Sequence, residues 1–302
     1  MIYYLLQFSI RVVMSQHYYT GSKKVLRKQS YLKFINAGIL ALTLFGYVAN
    51  DITSADEAQP GKTVEKPIID VRTDKLLKAM GDYLKSSGQF SFHVAIAFDE
   101  VIPSRQKIQY TASSDVAVHR PNKVYAERHG DLGDKRFWYD GKSMTLMDAK
   151  LGVYATEVVP ADIDSAMDHL MEKYGFSPPL VDLVYEDPYQ ILIENAEFGF
   201  YAGLHNVAGV RCHHLAFVQK DIDWQIWIED GKQLVPRKIV ITYKNAPESP
   251  QFSAVLSEWD LDAHLPDTLF NIDLADTKNL KKIKFMTITD TILDKSDSEE
   301  QK

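Results

Sequence analysis

The stretch that decides the fold is FWYDGKSMTLMDAKLGVYAT, residues 137–156. Its first aromatic segment ends at Asp140-Gly141, a dipeptide typical of tight β-hairpin turns. A second apolar segment, Met144–Met147, follows, and the turn-forming residues 148–152 lead into a third. Three short strands joined by short turns form a meander, so the sequence predicts antiparallel strands that pair in chain order.

Similar segments extend this meander in both directions. The predicted strands are Phe90–Ile102, Ile108–Val118 and Lys123–Arg128 upstream, and Val210–Val218, Trp224–Ile228, Leu234–Tyr243 and Phe252–Trp259 downstream, with strand structure resuming after Gly199. Because side chains alternate along a strand, Trp224 and Ile226 share one face and Trp227 lies on the other.

Helical spacing of apolar residues marks two further regions. The apolar positions are Leu76, Leu77, Met80, Tyr83 and Leu84 in a helix over 74–85, and Ile163, Ala166, Met167, Leu170, Met171 and Tyr174 in a helix that ends at Gly175. Asp187-Pro188 opens a third, short helix. The predicted class is α+β: a curved antiparallel β half-barrel of about 8–11 strands, covered by an N-terminal helix and a mid-chain helical lid.

The N-terminal segment has the order of a secretory signal peptide. Basic residues at 23–33 precede an apolar run, Phe34–Ala49, and small residues, Thr53 and Ala55, follow it. We expect cleavage after Ala55. A retained membrane anchor is the alternative, although the run of about 16 residues is shorter than the roughly 20 that span a bilayer. The first 13 residues are odd for a signal peptide, and Met14 is the more natural start.

The remaining chain divides simply. We expect a linker at 56–71, one domain at 72–286 and a disordered acidic tail at 287–302. Residues 56–302 hold 28 basic and 40 acidic residues, a net charge of −12. Since phosphate backbones and anionic membrane surfaces repel such a chain, nucleic acid is not an expected partner. Cys212 is the single cysteine, so no intramolecular disulfide forms, and we expect its thiol to be buried and inert.

The sequence contains no recognisable catalytic constellation. It lacks H-E-x-x-H and G-x-S-x-G motifs, and His213 and His214 are adjacent in a strand, so they point to opposite faces. We expect no metal and no cofactor. Asp182, Glu186 and Asp187 cluster near a helix start, where capping and solvation are favoured over a paired-carboxylate acid–base site.

The apolar residues that face the lid are the candidate ligand-binding set. We predict that they line an apolar cleft under the lid: Met144, Leu146, Met167, Leu170, Met171, Trp224, Ile226 and Ile241. For each of them, ordinary core packing is the alternative interpretation.

Several motifs, in order along the chain, resemble a known family. They are Arg120-Pro121, Tyr139-Asp140-Gly141-Lys142, Pro179-Leu180-Val181-Asp182-Leu183, Asp187-Pro188-Tyr189, Cys212-His213-His214-Leu215-Ala216-Phe217, Asp223-Trp224-Gln225-Ile226-Trp227-Ile228 and Pro236-Arg237-Lys238. The family is a bacterial group of predicted periplasmic proteins defined by domain of unknown function 2092, and the resemblance covers roughly residues 74–284. The family has no established activity, so the resemblance implies none for this chain.

A more distant resemblance links the order of elements to the lipoprotein carriers LolA and LolB and to the N-terminal domain of the stress regulator RseB. Those proteins are helix-closed half-barrels that bind acyl chains or lipoproteins, which implies a fold but no ligand residue here. The leading hypothesis is therefore an exported, non-enzymatic periplasmic carrier or sensor of an acyl chain, lipid or lipoprotein, monomeric and without a membrane span after cleavage. The alternatives are an envelope hydrolase with an acid–histidine site and an interaction module that docks to an envelope protein.

Overall fold

The fold is built on one large sheet. A computed structural model describes residues 67–175 and 177–285. Within them, the strands are β1 (Ile68–Ile69), β2 (Gln89–Val101), β3 (Lys107–His119), β4 (Lys123–Gly130), β5 (Lys135–Tyr139), β6 (Ser143–Asp148), β7 (Val153–Val158), β8 (Phe198–Val207), β9 (Val210–Val218), β10 (Asp223–Glu229), β11 (Pro236–Thr242), β12 (Gln251–Asp260) and β13 (Lys281–Ile283).

Two meanders join side by side to make this sheet. Its order is β1-β8-β9-β10-β11-β12-β2-β3-β4-β5-β6-β7-β13. Strands β2–β7 form one antiparallel meander and β8–β12 the other, and antiparallel pairing of β12 with β2 joins them. The two short edge strands, β1 and β13, pair in parallel with β8 and β7. The order has two ends, so the sheet is open.

The helices lie where the chain leaves the sheet. They are α1 (Val71–Lys85), α2 (Ile163–Tyr174), α3 (Pro188–Ile193) and α4 (Leu274–Thr277), with 3-10 turns at Val181–Leu183 and Asp267–Phe270. Asp70, Asp162 and Asp187 cap α1, α2 and α3 by accepting hydrogen bonds from backbone N–H groups. Gly175 ends α2 in the left-handed conformation, with φ at 62°.

Alternation along the strands gives the sheet a core face and an outer face. One row of paired residues on the core face runs Leu215, Ile226, Ile239, Ala254 and Ile96 across five strands, and all five side chains are buried. One residue further along each strand, the paired row His214, Trp227, Lys238, Val255 and Ala95 lies on the outer face. The apolar core forms between the core face and the helices.

The predicted α+β class is confirmed, with thirteen strands in the described residues. This is two strands more than the upper end of the expected 8–11, and the two edge strands β1 and β13 are too short to show a sequence pattern. Strand β1 falls within the segment 56–71 that was expected to be a linker. The Asp140-Gly141 hairpin forms as predicted: Asp140 Oδ1 accepts hydrogen bonds from the N–H groups of Lys142 and Ser143. Gly141 has φ at 85°, and a Cβ there would lie 2.7 Å from Asn122 Nδ2, so only glycine fits.

Candidate functional site

The predicted ligand-binding residues come together in one cluster. Met144, Met167, Leu170, Met171, Trp224, Ile226 and Ile241 all belong to the continuous buried core, and Leu146 is half-buried against it. Met144 and Leu146 lie on the core face of β6, and the two methionines at 167 and 171 lie on the inner side of α2. In this conformation these side chains pack against one another between the sheet and the helices.

The helices and turn of residues 163–175 and 177–193, named the cover from here on, lie over this core. The N–H of Ile163, at the start of α2, donates to Pro121 O in the turn between β3 and β4, at 2.9 Å. At the other end of α2, Lys173 Nζ lies 2.5 Å from Glu157 Oε1 on β7. The cover is therefore attached to the rim of the sheet at both ends of its main helix.

Arg120 attaches the cover to the rim of the sheet through two hydrogen bonds, which together we name the clasp. Its Nη1 donates hydrogen bonds to Val184 O at 2.6 Å and to Tyr185 O at 2.7 Å, both in the cover. Burial lowers the pKa of the guanidinium, opposed by the carboxylates of Asp164 and Glu186. Its Nε and Nη2 are buried without a hydrogen-bond partner among the described residues. The sequence marked Arg120-Pro121 as a motif but did not indicate this role.

Two further polar contacts attach α3 to α1. Tyr189 Oη donates to Asp74 Oδ1 at 2.7 Å, and Lys85 Nζ donates to Asp187 Oδ2 at 3.0 Å. Asp187 also caps α3 through the N–H of Gln190. The carboxylate that the sequence placed in a possible acid–base cluster is thus a cap and an ion-pair partner.

Acid is expected to weaken the Lys85–Asp187 contact. Burial alone raises the pKa of Asp187, but hydrogen bonds from Lys85 and from the Gln190 N–H outweigh it, so the pKa lies below its usual 3.8. The contact therefore contributes stability above about pH 3.8 and loses it as the pH falls through the lower folded-state value. We compare wild type with Asp187→Asn, which keeps a side chain able to cap α3.

Urea unfolding of both proteins over a pH series checks this expectation. The wild type should be the more stable protein at neutral pH, and its advantage should shrink as the pH falls below about 3.8. An advantage that stays constant over that range would contradict the role given to the Asp187 charge.

Two polar groups lie deep in the core near the turn between β9 and β10. The Gln219 side chain is only 1 % exposed, and neither its oxygen nor its nitrogen has a hydrogen-bond partner among the described residues. The same holds for the indole Nε1 of Trp224, whose ring stacks on Phe217 with centroids 4.1 Å apart. Buried groups of this kind are rare, because each unmade hydrogen bond is unfavourable.

An open cleft on the outer face, the imidazole cleft, is lined by His205, Asn206, Val207, Ala208, His214, Trp227, Lys238 and Val255. His214 stacks on Trp227 with centroids 3.9 Å apart, and its Nε2 lies 3.0 Å from Gln225 Oε1. The Nδ1 atoms of His205 and His214 are 2.9 Å apart. The sequence did not single out His205.

His213 faces away from this cleft, as the alternation predicted. Its Nδ1 lies 3.0 Å from Tyr201 Oη, and its Nε2 lies 3.2 Å from Asp230 Oδ1. Asp230 is also paired with Arg211, and Arg72 stacks on the Tyr201 ring. A second open cleft adjoins this group, lined by residues 70–72, Lys75, Leu76 and His213.

The structure also places the other residues that the sequence singled out. Cys212 is buried, and burial raises the pKa of its thiol to about 11, which keeps it protonated. Trp138 is buried, and Trp227 is half-buried. Met147 lies on the outer face of β6, opposite to Met144. Among the described residues, no group of three or more His, Cys, Asp or Glu side chains converges around a possible metal position.

The chain matches the sequence model of one protein family. The model of DUF2092, described as a predicted periplasmic protein, matches residues 73–286. The chain belongs to this family. This confirms the resemblance drawn from the motifs at Arg120-Pro121 and onward, and the clasp and the imidazole cleft lie within the matched region. A comparison with curated protein sequences gives no match.

Solved structures give weaker likenesses. LprF from Mycobacterium bovis shares 12 % identity, covering 65 % of this chain and 97 % of its own, with a TM-score of 0.39. MucB shares 13 % sequence identity; the match covers 68 % of this chain and 64 % of MucB, with a TM-score of 0.41. A LolA superfamily protein from Nitrosomonas europaea shares 9 % identity; the match covers 66 % of this chain and 97 % of that protein, with a TM-score of 0.29. The resemblance to LolA-type and RseB-like proteins is one of fold alone.

Within residues 67–175 and 177–285, no helix combines the length and apolar character that a membrane crossing requires. The proposed signal peptide and the acidic tail lie outside the described residues.

Proposed function

We propose that this DUF2092 protein is an exported, non-enzymatic carrier or sensor that holds an acyl chain, a lipid or a lipoprotein between the core face and the cover. The predicted signal peptide at residues 1–55 would deliver it to the periplasm, in agreement with the description of its family. The observation that carries the proposal is the apolar layer itself: a methionine- and leucine-rich core closed by a separate helical cover with polar attachments at its rim.

The chemistry of the layer suits a flexible apolar ligand. Met144, Met167 and Met171 lie in it, and methionine side chains adapt their shape to different partners. Burying one methylene group stabilises a complex by about 0.8 kcal/mol, so a chain of ten contributes about 8 kcal/mol before the cost of opening. Because these side chains are buried against one another in this conformation, a ligand would enter as the cover moves away from the sheet.

The polar end of such a ligand has candidate partners in the core. The Gln219 amide and the Trp224 indole N–H are buried near the turn between β9 and β10, without partners in the described part of the chain. An ester or hydroxyl group of a ligand would supply the hydrogen bonds that these groups lack. This supports an amphiphile over a pure hydrocarbon.

The hydrolase alternative has less support. It calls for His214 within hydrogen-bonding distance of a carboxylate in an open pocket, but its partners are Gln225 and His205. His213 does lie beside Asp230, yet Arg211 is paired with the same carboxylate. The hydroxyl in contact with His213 is that of Tyr201, whose ring is covered by the Arg72 guanidinium.

The interaction-module alternative is favoured by one observation. Of the seven large hydrophobic residues exposed in the described chain, five lie along one edge of the sheet: Ile68, Val71, Phe198, Phe200 and Leu204. An extended segment of an envelope protein that adds a strand to β8 would cover them. Such docking is compatible with a carrier that delivers its ligand to a partner.

Two substitutions on one strand test the carrier proposal. Met144→Trp enlarges a side chain on the core face of β6, and Met147→Trp makes the same change on its outer face. Both residues are buried, so overpacking of about 1–3 kcal/mol is expected for each. Only Met144→Trp should weaken binding of a fluorescent fatty-acid probe, by about tenfold or more, since it occupies the proposed ligand space.

Probe titration of both variants and the wild type is the measurement, with circular dichroism to verify folding. If Met144→Trp does not fold, Met144→Phe makes a smaller change in the same place. Equal binding by the two variants, or no saturable binding by the folded wild type, would contradict the proposal.

A further inference from the structure

The imidazole cleft contains two histidines that the sheet brings together by an irregularity. Gly203 lies opposite His214 in the β8–β9 pairing, directly after a register shift in β8. Since glycine has no side chain, the His205 ring leans into that place, with its Nε2 3.6 Å from the position of a Gly203 Cβ. Bulges often re-aim side chains in this way, and here one turns His205 toward its diagonal neighbour.

The hydrogen bond to Gln225 sets the tautomer of His214. The Gln225 Oε1 atom accepts only, so the His214 Nε2, 3.0 Å away, carries the proton. His214 Nδ1 therefore presents its lone pair, 2.9 Å from His205 Nδ1. A histidine whose second nitrogen donates to a carbonyl oxygen is the usual arrangement of a metal ligand.

The His214 ring is also held in place. It stacks on Trp227 with an angle of 12° between the planes, and its Nε2 is fixed by Gln225. Its Nδ1 is therefore held in one direction, which favours metal binding because little ring motion is lost. The cleft beside it, about 440 Å³, gives solvent and ions access.

The two nitrogens are close enough to share one metal ion. Their separation of 2.9 Å is that of a hydrogen bond, and bonds of about 2.0 Å that meet at a right angle place two nitrogens about 2.8 Å apart. A square-planar ion is therefore accommodated once the two rings turn their lone pairs toward it. Among the divalent ions that imidazole binds, copper(II) prefers that geometry and binds most tightly.

We propose that His205 and His214 bind a copper(II) ion through their Nδ1 atoms, with water in the remaining positions. On binding, the proton that His205 Nδ1 donates to His214 Nδ1 is given up to water, and His205 Nε2 takes one from water, so both ligands are neutral imidazoles. This site lies on the outer face, so it is separate from the ligand space proposed under the cover and does not depend on it.

Lys238 is the charged group that opposes the ion. Its Nζ lies 5.0 Å from the centroid of the Trp227 ring, on which His214 stacks, and its side chain lines the same cleft. Removing this charge should therefore tighten copper binding. A gain of this kind distinguishes a site at His214 from adventitious binding elsewhere on an acidic surface.

Calorimetric titration of the full, tag-free protein with copper(II) tests the proposal. We expect one site, with affinity lowered at least about tenfold by His214→Gln and by His205→Gln, the minimum for loss of a group that supports a metal. Lys238→Gln should raise the affinity severalfold. His213→Gln, on the opposite face of the same strand, is the matched control and should leave it unchanged.

Two spectroscopic measurements complete the test. Copper(II) should quench tryptophan fluorescence in the wild type but much less in Trp227→Phe, and its electron paramagnetic resonance spectrum should show tetragonal symmetry with nitrogen ligands. The proposal is overturned if His214→Gln binds copper as tightly as the wild type, or if zinc binds the site as tightly as copper.

Discussion

Replacing Trp224 with alanine is expected to lower the free energy of unfolding by about 3–5 kcal/mol, the range found for buried tryptophan and phenylalanine. Trp224 is 1 % exposed on the core face of β10, and its ring stacks on Phe217 with an angle of 12° between the planes. Alanine would leave a large cavity on the core face of the sheet. Urea unfolding monitored by circular dichroism measures the loss.

Trp227→Ala is the matched control because it makes the same chemical change on the same strand. Trp227 lies on the outer face and is half-buried between His214 and Lys238, so we expect a smaller loss of about 1–2 kcal/mol. Equal losses for the two variants would contradict the assignment of core and outer faces.

Arg120→Ala is expected to release the cover. It removes both hydrogen bonds of the clasp and leaves Val184 O and Tyr185 O without their donor, for a loss of about 3 kcal/mol. The loss should be local: hydrogen exchange should accelerate through the cover and change little in β9–β11. Hydrogen exchange followed by mass spectrometry resolves the two regions.

Arg211→Ala serves as the control for the loss of an arginine. Arg211 is exposed and pairs with Asp230, and exposed ion pairs contribute little. Its removal should leave both the unfolding curve and the exchange pattern unchanged. If Arg120→Ala behaves like Arg211→Ala, or if it accelerates exchange uniformly through the sheet, the clasp does not hold the cover.

Local patterns of the chain predict much of this fold. The Asp140-Gly141 turn, the cap at Asp187 and the alternation around Trp224 each depend on neighbouring residues only, and the structure confirms all three. Strand β8 was indicated only as strand structure after Gly199, because Gly203 and the register shift interrupt its alternation. Strands of two or three residues, such as β1, have no pattern to read.

The site depends on contacts between distant parts of the chain, which local patterns do not encode. Arg120 meets carbonyl groups 64 and 65 residues away, and no spacing rule connects them. His205 meets His214 only because a glycine and a bulge intervene in β8. By contrast, the inward orientation of Met144 and Trp224 could be predicted, since strand periodicity shows which side chains face the core.

The carrier proposal is tested most directly by native mass spectrometry of the protein purified from the periplasm under mild conditions. We expect a mass above that of the polypeptide, and we expect denaturation to release an acyl-containing molecule that can be identified. A polypeptide mass alone, which stays unchanged after incubation with fatty acids and phospholipids, would contradict the claim that the space beneath the cover holds an apolar ligand.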